Sequence, residues 1–110
     1  MPQILSVLVL LVAVRCTRNA APDISKMSSA ELTERGKAIY QLNCISCHNP
    51  DPSKDGAVGP AIKGSSRELI EVRVLRAGYP VGYKSKRATQ QMPPLPHLER
   101  EIPALAEFLH

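Results

Sequence analysis

Tryptophan is absent from the 110-residue chain, and one Phe with three Tyr bring aromatic residues to only 4%. Large aromatic side chains usually dominate the buried area of a small domain, so a chain of this length is short of core material of its own. A bilayer-length apolar run is also missing. The longest run, Ile4 to Val14 with one Ser in it, would span about 16 Å as a helix, roughly half of a hydrocarbon core. No stretch alternates apolar and polar residues in the manner of a half-buried strand, and no segment repeats, so sheet and solenoid architectures are excluded. Three cysteines are an odd number and do not make a disulfide framework. The net charge of +4 comes without a basic patch interleaved with aromatics, which argues against nucleic acid as a partner. Ten Pro and six Gly make the chain loop-rich, yet an apolar fraction of 44% is ordinary for a folded domain.

What is present is Cys44-Ile45-Ser46-Cys47-His48. C-x-x-C-H is the attachment signature of c-type haem: two thiols add to the porphyrin vinyl groups and the following imidazole binds iron. On one helical turn positions i and i+3 face the same way, so both thiols reach one porphyrin edge and His48 lies beneath the ring. A covalently held, largely apolar haem supplies the core that the aromatics do not, and its two propionates offset part of the positive charge. Rival chemistries for the two thiols lack their other parts. A thioredoxin-like dithiol needs a preceding strand and a parallel sheet. A structural zinc site needs two more ligands, and His97 and His110 do not have the usual spacing. A cysteine hydrolase needs a separate base that nothing here specifies.

The Ile4–Val14 run has the length of a signal-peptide h-region, although Met1-Pro2-Gln3 carries no Lys or Arg and Arg15 and Arg18 follow the run. A true start upstream of Met1 would supply the basic region. Cys16 resembles the acylated cysteine of bacterial lipoproteins, with Arg15 where a small residue is usual; cleavage between Cys16 and Ala21 is the alternative. Residues 1–21 are therefore expected to be an export or lipoprotein signal, 22–27 a linker and 28–110 the folded domain. In that domain Ser28 and Glu31 form a capping box that opens a helix ending at Cys44, with Gly36 inside it either at a close approach of another helix or as a tolerated surface glycine. The residues from Asn49 to Gly64 read as loop. A second capping box, Ser65 to Glu68, opens a helix that Gly78 ends. A long loop from Tyr79 to Leu98 carries a ligand, and a last helix runs from about Glu99 to His110, with Pro103 in its first turn.

The order of helix, Cys44-Ile45-Ser46-Cys47-His48, Gly59-Pro60, helix, Met92-Pro93, helix resembles the class I monohaem cytochromes c over about Ser28 to His110. The resemblance implies an all-α fold of three main helices with long loops wrapped around one haem c attached through Cys44 and Cys47. It implies that His48 is the proximal ligand and that Met92 is the distal one. Gly59-Pro60-Ala61-Ile62-Lys63-Gly64 is similar to that family's G-P-x-L-x-G loop, in which the Pro60 carbonyl would accept a hydrogen bond from His48. Gly36 and Tyr40 with Phe108 match the family's crossing pair of helices. Met27 lies on the wrong side of the attachment site for that chain path, and His97, five residues beyond Met92, is the competing ligand.

With both axial positions filled by protein the iron has no open site, so the expectation is an electron carrier rather than an enzyme, with a comparatively high potential from the soft methionine sulfur. The carrier would be exported, periplasmic or extracytoplasmic and membrane-associated through its N-terminus or Cys16, and would serve a redox protein donor and acceptor. Lys84, Lys86 and Arg87 cluster before Met92, where they would balance propionates or guide an acidic partner, the alternative being an ordinary solvated loop. The alternatives are a haem subunit of a larger redox enzyme and a sensor with a labile distal ligand.

Overall fold

The computed structural model describes residues 20–88 and 91–110. The apolar run with Arg15, Cys16 and Arg18 lies outside the described residues. Among those described, all regular structure is helical: α1 (Ser29–Asn43), α2 (Arg67–Arg76) and α3 (Ile102–Leu109), with 3-10 segments at Ile24–Lys26 and Pro96–Glu101. None of these helices is long and apolar enough to cross a membrane. The 22–27 stretch, read as a linker, contains the short 3-10 turn Ile24–Lys26, opened by the Asp23 carboxylate accepting from the Ser25 amide at 3.1 Å.

Helix α1 opens as its sequence directs. The Ser28 hydroxyl accepts from the Glu31 amide at 3.2 Å while the Glu31 carboxylate accepts from the Ser28 amide at 2.7 Å, satisfying two of the free donors of the first turn. Against it packs α3. Gly36 is buried where a Cβ would run into the Ala104 carbonyl and the Phe108 Cβ, so the two helices touch backbone to backbone there. One turn on, Tyr40 is fully buried with its ring centroid 5.5 Å from that of Phe108. Arg35 closes the crossing with a forked pair to Glu101, at 2.7 and 2.6 Å. Ser29 donates to Glu107 farther along the same seam.

Helix α2 starts one residue later than its capping signal predicts. Ser66, not Ser65, is the N-cap, accepting from the Leu69 amide at 3.1 Å, because Ser65 spends its hydroxyl on the Ile62 carbonyl at 2.6 Å. Its end also differs from expectation. Ala77, not Gly78, takes the left-handed conformation, at φ 53°, and the amides of Ala77 and Gly78 return to Arg73 and Val72. The Ala77 bond to Arg73 is that of the αL cap, here with a Cβ at its strained position.

The last helix is the third correction. From Glu99 the expected α-helix would need the residue-103 amide to reach the Glu99 carbonyl, and Pro103 has none. The chain instead turns as 3-10 over Pro96–Glu101, where the Ile102 amide takes the Glu99 carbonyl, and α3 proper begins at Ile102.

The buried core is Tyr40, Ile70, Val74, Leu98, Ile102, Ala104, Leu105 and Leu109, contributed by all three helices and the second 3-10 segment. Tyr40 is its one aromatic member among the described residues. Two ties then fix the loops on this frame: the Leu95 amide bonds to the Val74 carbonyl at 2.6 Å, and the Gly64 amide to the Leu109 carbonyl at 2.6 Å.

Candidate functional site

Where α1 ends, the Cys44 amide still bonds to Tyr40, and the amides of Cys47 and His48 both return to the Cys44 carbonyl, at 3.3 and 2.9 Å. This tight turn brings Cys44, Cys47 and His48 to the wall of a cavity of about 220 Å³. Met92 lines the same cavity from the long loop. Its floor is the core itself, in Ile70, Val74, Leu105 and Leu109, and Ile62 and Leu69 add apolar wall. Arg73, Lys86 and Arg87 stand among its lining residues, and no Asp or Glu does among those described. His97, the competing ligand, is exposed on the 3-10 segment and does not line the cavity.

The imidazole is held on two sides. His48 Nδ1 lies 2.9 Å from the Pro60 carbonyl, which can only accept, so Nδ1 carries the proton and Nε2 keeps its lone pair. Gly59 is buried against the ring: a Cβ at Gly59 would lie within 3.0 Å of three ring atoms, Cε1, Nδ1 and Nε2. Glycine is required there for space, since its backbone is not left-handed. Gly56 is fitted as tightly behind the same turn, where a Cβ would meet the Cys47 carbonyl and the Asn49 amide. Tyr40 completes the support by donating its hydroxyl to the Asn49 carbonyl at 2.5 Å, which ties α1 to the loop after His48. Burial, helped by the nearby Cys44 and Asp51, pushes the Tyr40 phenol up to about 12.

Burial pushes the Cys44 thiol up to about 11, the reverse of the lowered thiol on which a reactive dithiol centre depends.

Sequence reasoning named Cys44, Cys47, His48, Pro60 and Met92, and all five line this cavity. It missed Gly59 as the ring's packing face, the Tyr40 hydroxyl, and a stack in which the Arg73 guanidinium lies 4.3 Å from the Tyr79 centroid and Tyr79 lies 5.4 Å from Tyr83, nearly parallel. It read Lys86 and Arg87 as charges for the propionates, an acidic partner or solvent. Lys86 donates to the Ala61 carbonyl at 2.7 Å and Arg87 to the Val58 carbonyl at 2.9 Å. The Gly-Pro pair was a usable signal for Gly59; nothing local in the sequence marks the Lys86 and Arg87 contacts, which reach back 25 and 29 residues.

Two thiols, an imidazole with a free Nε2, a thioether, apolar walls and a cationic edge fit an apolar macrocycle that carries carboxylates and a metal. Comparison with known proteins points the same way. The sequence profile of the cytochrome c family matches residues 33–110. A cytochrome c-553-like protein of Synechocystis sp. is 28% identical over 111 residues, spanning 100% of this chain and 95% of that relative. The family match takes in the whole cavity wall and more than half of the chain, and so the chain belongs to the cytochrome c family.

Proposed function

We propose that this chain is an exported, single-haem electron carrier, with haem c attached through Cys44 and Cys47 and held axially by His48 and Met92. The observation that carries the proposal is the His48 Nδ1 contact to the Pro60 carbonyl at 2.9 Å, which presents a neutral imidazole Nε2 to the cavity that Met92 also lines. The haem, when bound, supplies an iron that takes up and releases one electron. The protein's own residues do the rest. Cys44 and Cys47 fix the macrocycle's position, so the group cannot dissociate between donor and acceptor. Gly59 and Pro60 hold the imidazole in one orientation, which keeps reorganisation small when the iron changes charge. Ile70, Val74, Leu105 and Leu109 exclude water, and this together with a thioether ligand favours the reduced state. No proton moves and no bond to a substrate forms, so catalysis belongs to the partners.

Carbon monoxide added to the reduced protein tests axial closure. A carrier with both positions held keeps its Soret spectrum, whereas a sensor or oxidase-like subunit with a labile Met92 shifts it. Export is supported by the Ile4–Val14 run, and the mass of the mature chain decides its mode. A start at Cys16 with added acyl mass means a lipoprotein, a start near Ala21 a released protein, and an intact Met1 contradicts export. Lys84, Lys86 and Arg87 form a cationic edge suited to an acidic redox partner. Lys84→Glu should slow electron transfer with such a partner at low salt and matter little at high salt.

A further inference from the structure

We infer, on the basis that His48 and Met92 are the axial ligands, that Lys86 and Arg87 are positioning residues that clip the loop leading to Met92 onto the 58–61 segment that orients His48. Four successive carbonyls make the case. Val58 accepts from Arg87 Nη1 at 2.9 Å, Gly59 accepts from the Gly56 amide at 2.9 Å, and Ala61 accepts from Lys86 Nζ at 2.7 Å. The Pro60 carbonyl, between them, is left for His48 at 2.9 Å. From the other side the amides of Val58 and Gly59 both bond to the Cys47 carbonyl, at 3.2 and 2.9 Å. Asp55 joins the two halves of the clip: its carboxylate accepts from the Ala61 amide at 2.8 Å and stands 3.8 Å from the Arg87 guanidinium. The loop is tied again beyond Met92, where the Leu95 amide meets the Val74 carbonyl. Met92 therefore sits between two anchors, and the first of them is the segment that holds the opposite ligand.

Cationic donors suit this task because a charge-assisted hydrogen bond to a carbonyl is stronger than a neutral one, and their long stems line the cavity on the way to those carbonyls. Breaking both bonds releases the loop ahead of Met92, while the 58–61 segment keeps its ties to the Cys47 carbonyl and the Asp55 carboxylate. The cationic pair thus has an effect inside the molecule that needs no partner.

Imidazole titration of the ferric holoprotein reads this directly, because the entering ligand must displace Met92. Arg87→Met and Lys86→Met keep side-chain bulk but lose the donor, and each should raise imidazole affinity about threefold to tenfold. Arg87→Lys and Lys86→Arg, which keep a cationic donor, should return it close to the parent value. Ile102→Val, in the core of α3 and outside both loops, should lower the unfolding midpoint without raising imidazole affinity, separating the clip from general loosening. In the diamagnetic ferrous protein, Arg87 guanidinium protons should show cross-relaxation to Val58 and Gly59, and Lys86 methylene protons to Ala61. Unchanged affinity in both methionine variants overturns the clip, as does NMR placing the two cations away from residues 58–61. A parent protein lacking a methionine–iron bond overturns the ligand assignment and the clip together, whereas a parent that has the bond but whose variants show no change overturns the clip alone.

Discussion

Replacing Gly59 by alanine tests how the His48 imidazole is held. The added methyl would lie within 3.0 Å of three atoms of the His48 ring, so either the ring turns or the 58–61 segment moves. Forcing a methyl into a packed site costs about 1–3 kcal/mol, and a ring that turns also gives up its bond to the Pro60 carbonyl, about 1 kcal/mol net. The expected loss is therefore about 2–4 kcal/mol, a large share of what a domain of this size has in total at about 0.1 kcal/mol per residue. Thermal unfolding of the holoprotein should drop by roughly 10–25 °C. Gly64→Ala provides the contrast. Gly64 has φ 82° with nothing within 4 Å of the place an added methyl would take, so its cost of about 1 kcal/mol is purely conformational and leaves His48 undisturbed. Calorimetry gives the change in stability, and the NMR shift of the His48 Nδ1 proton gives the geometry. Should Gly59→Ala melt within a few degrees of the parent with that proton unmoved, the packing account of His48 is wrong.

Gly36→Ala should destabilise by about 2 kcal/mol despite alanine's better helix propensity, since the obstacle is the Ala104 backbone and cannot rotate away; chemical denaturation checks it. Ala77→Gly should stabilise by about 0.5–1 kcal/mol and raise the melting temperature a few degrees, because φ 53° strains a side chain that makes no use of the position. The Tyr40 phenol titrates near 10 when unfolded and is pushed up to about 12 in the fold, chiefly by burial, so the folded state binds its proton more tightly. Its contribution to stability is complete below about pH 10 and is lost as pH rises through about 12, so stability followed by circular dichroism should fall in that window, and the fall should shift in Tyr40→Phe.

The parts of the fold that could be read in the sequence are those set by neighbours along the chain. Ser28 and Glu31 marked the start of α1, and C-x-x-C-H fixed which three side chains share a turn. Boundaries slipped where two adjacent residues competed for one role. Ser65 and Ser66 can each cap a helix, and the choice fell to Ser66 because a distant demand, the Ile62 carbonyl, occupied Ser65. Gly78 was the natural residue for a left-handed end, yet helix length placed Ala77 there. Pro103 carried the information for the 3-10 segment, since its missing amide forbids an α-helix that begins at Glu99. Of the candidate site, the atoms offered to a metal were legible, as was the Pro60 carbonyl that meets His48, and the other supports were not. Lys86 to Ala61 and Arg87 to Val58 span 25 and 29 residues, and no periodicity records which carbonyl a long cation will find.

The central claim is that Cys44 and Cys47 hold haem covalently with His48 and Met92 on its iron. Acid–acetone treatment of protein made with the haem-maturation machinery, followed by mass spectrometry, tests it most directly. The account predicts one haem mass retained on the denatured chain and lost in Cys44→Ala with Cys47→Ala. Before denaturation the ferric protein should show the weak long-wavelength band of methionine-ligated haem, absent in Met92→Ala and kept in His97→Ala. Haem that extracts freely from the correctly matured parent chain would contradict it.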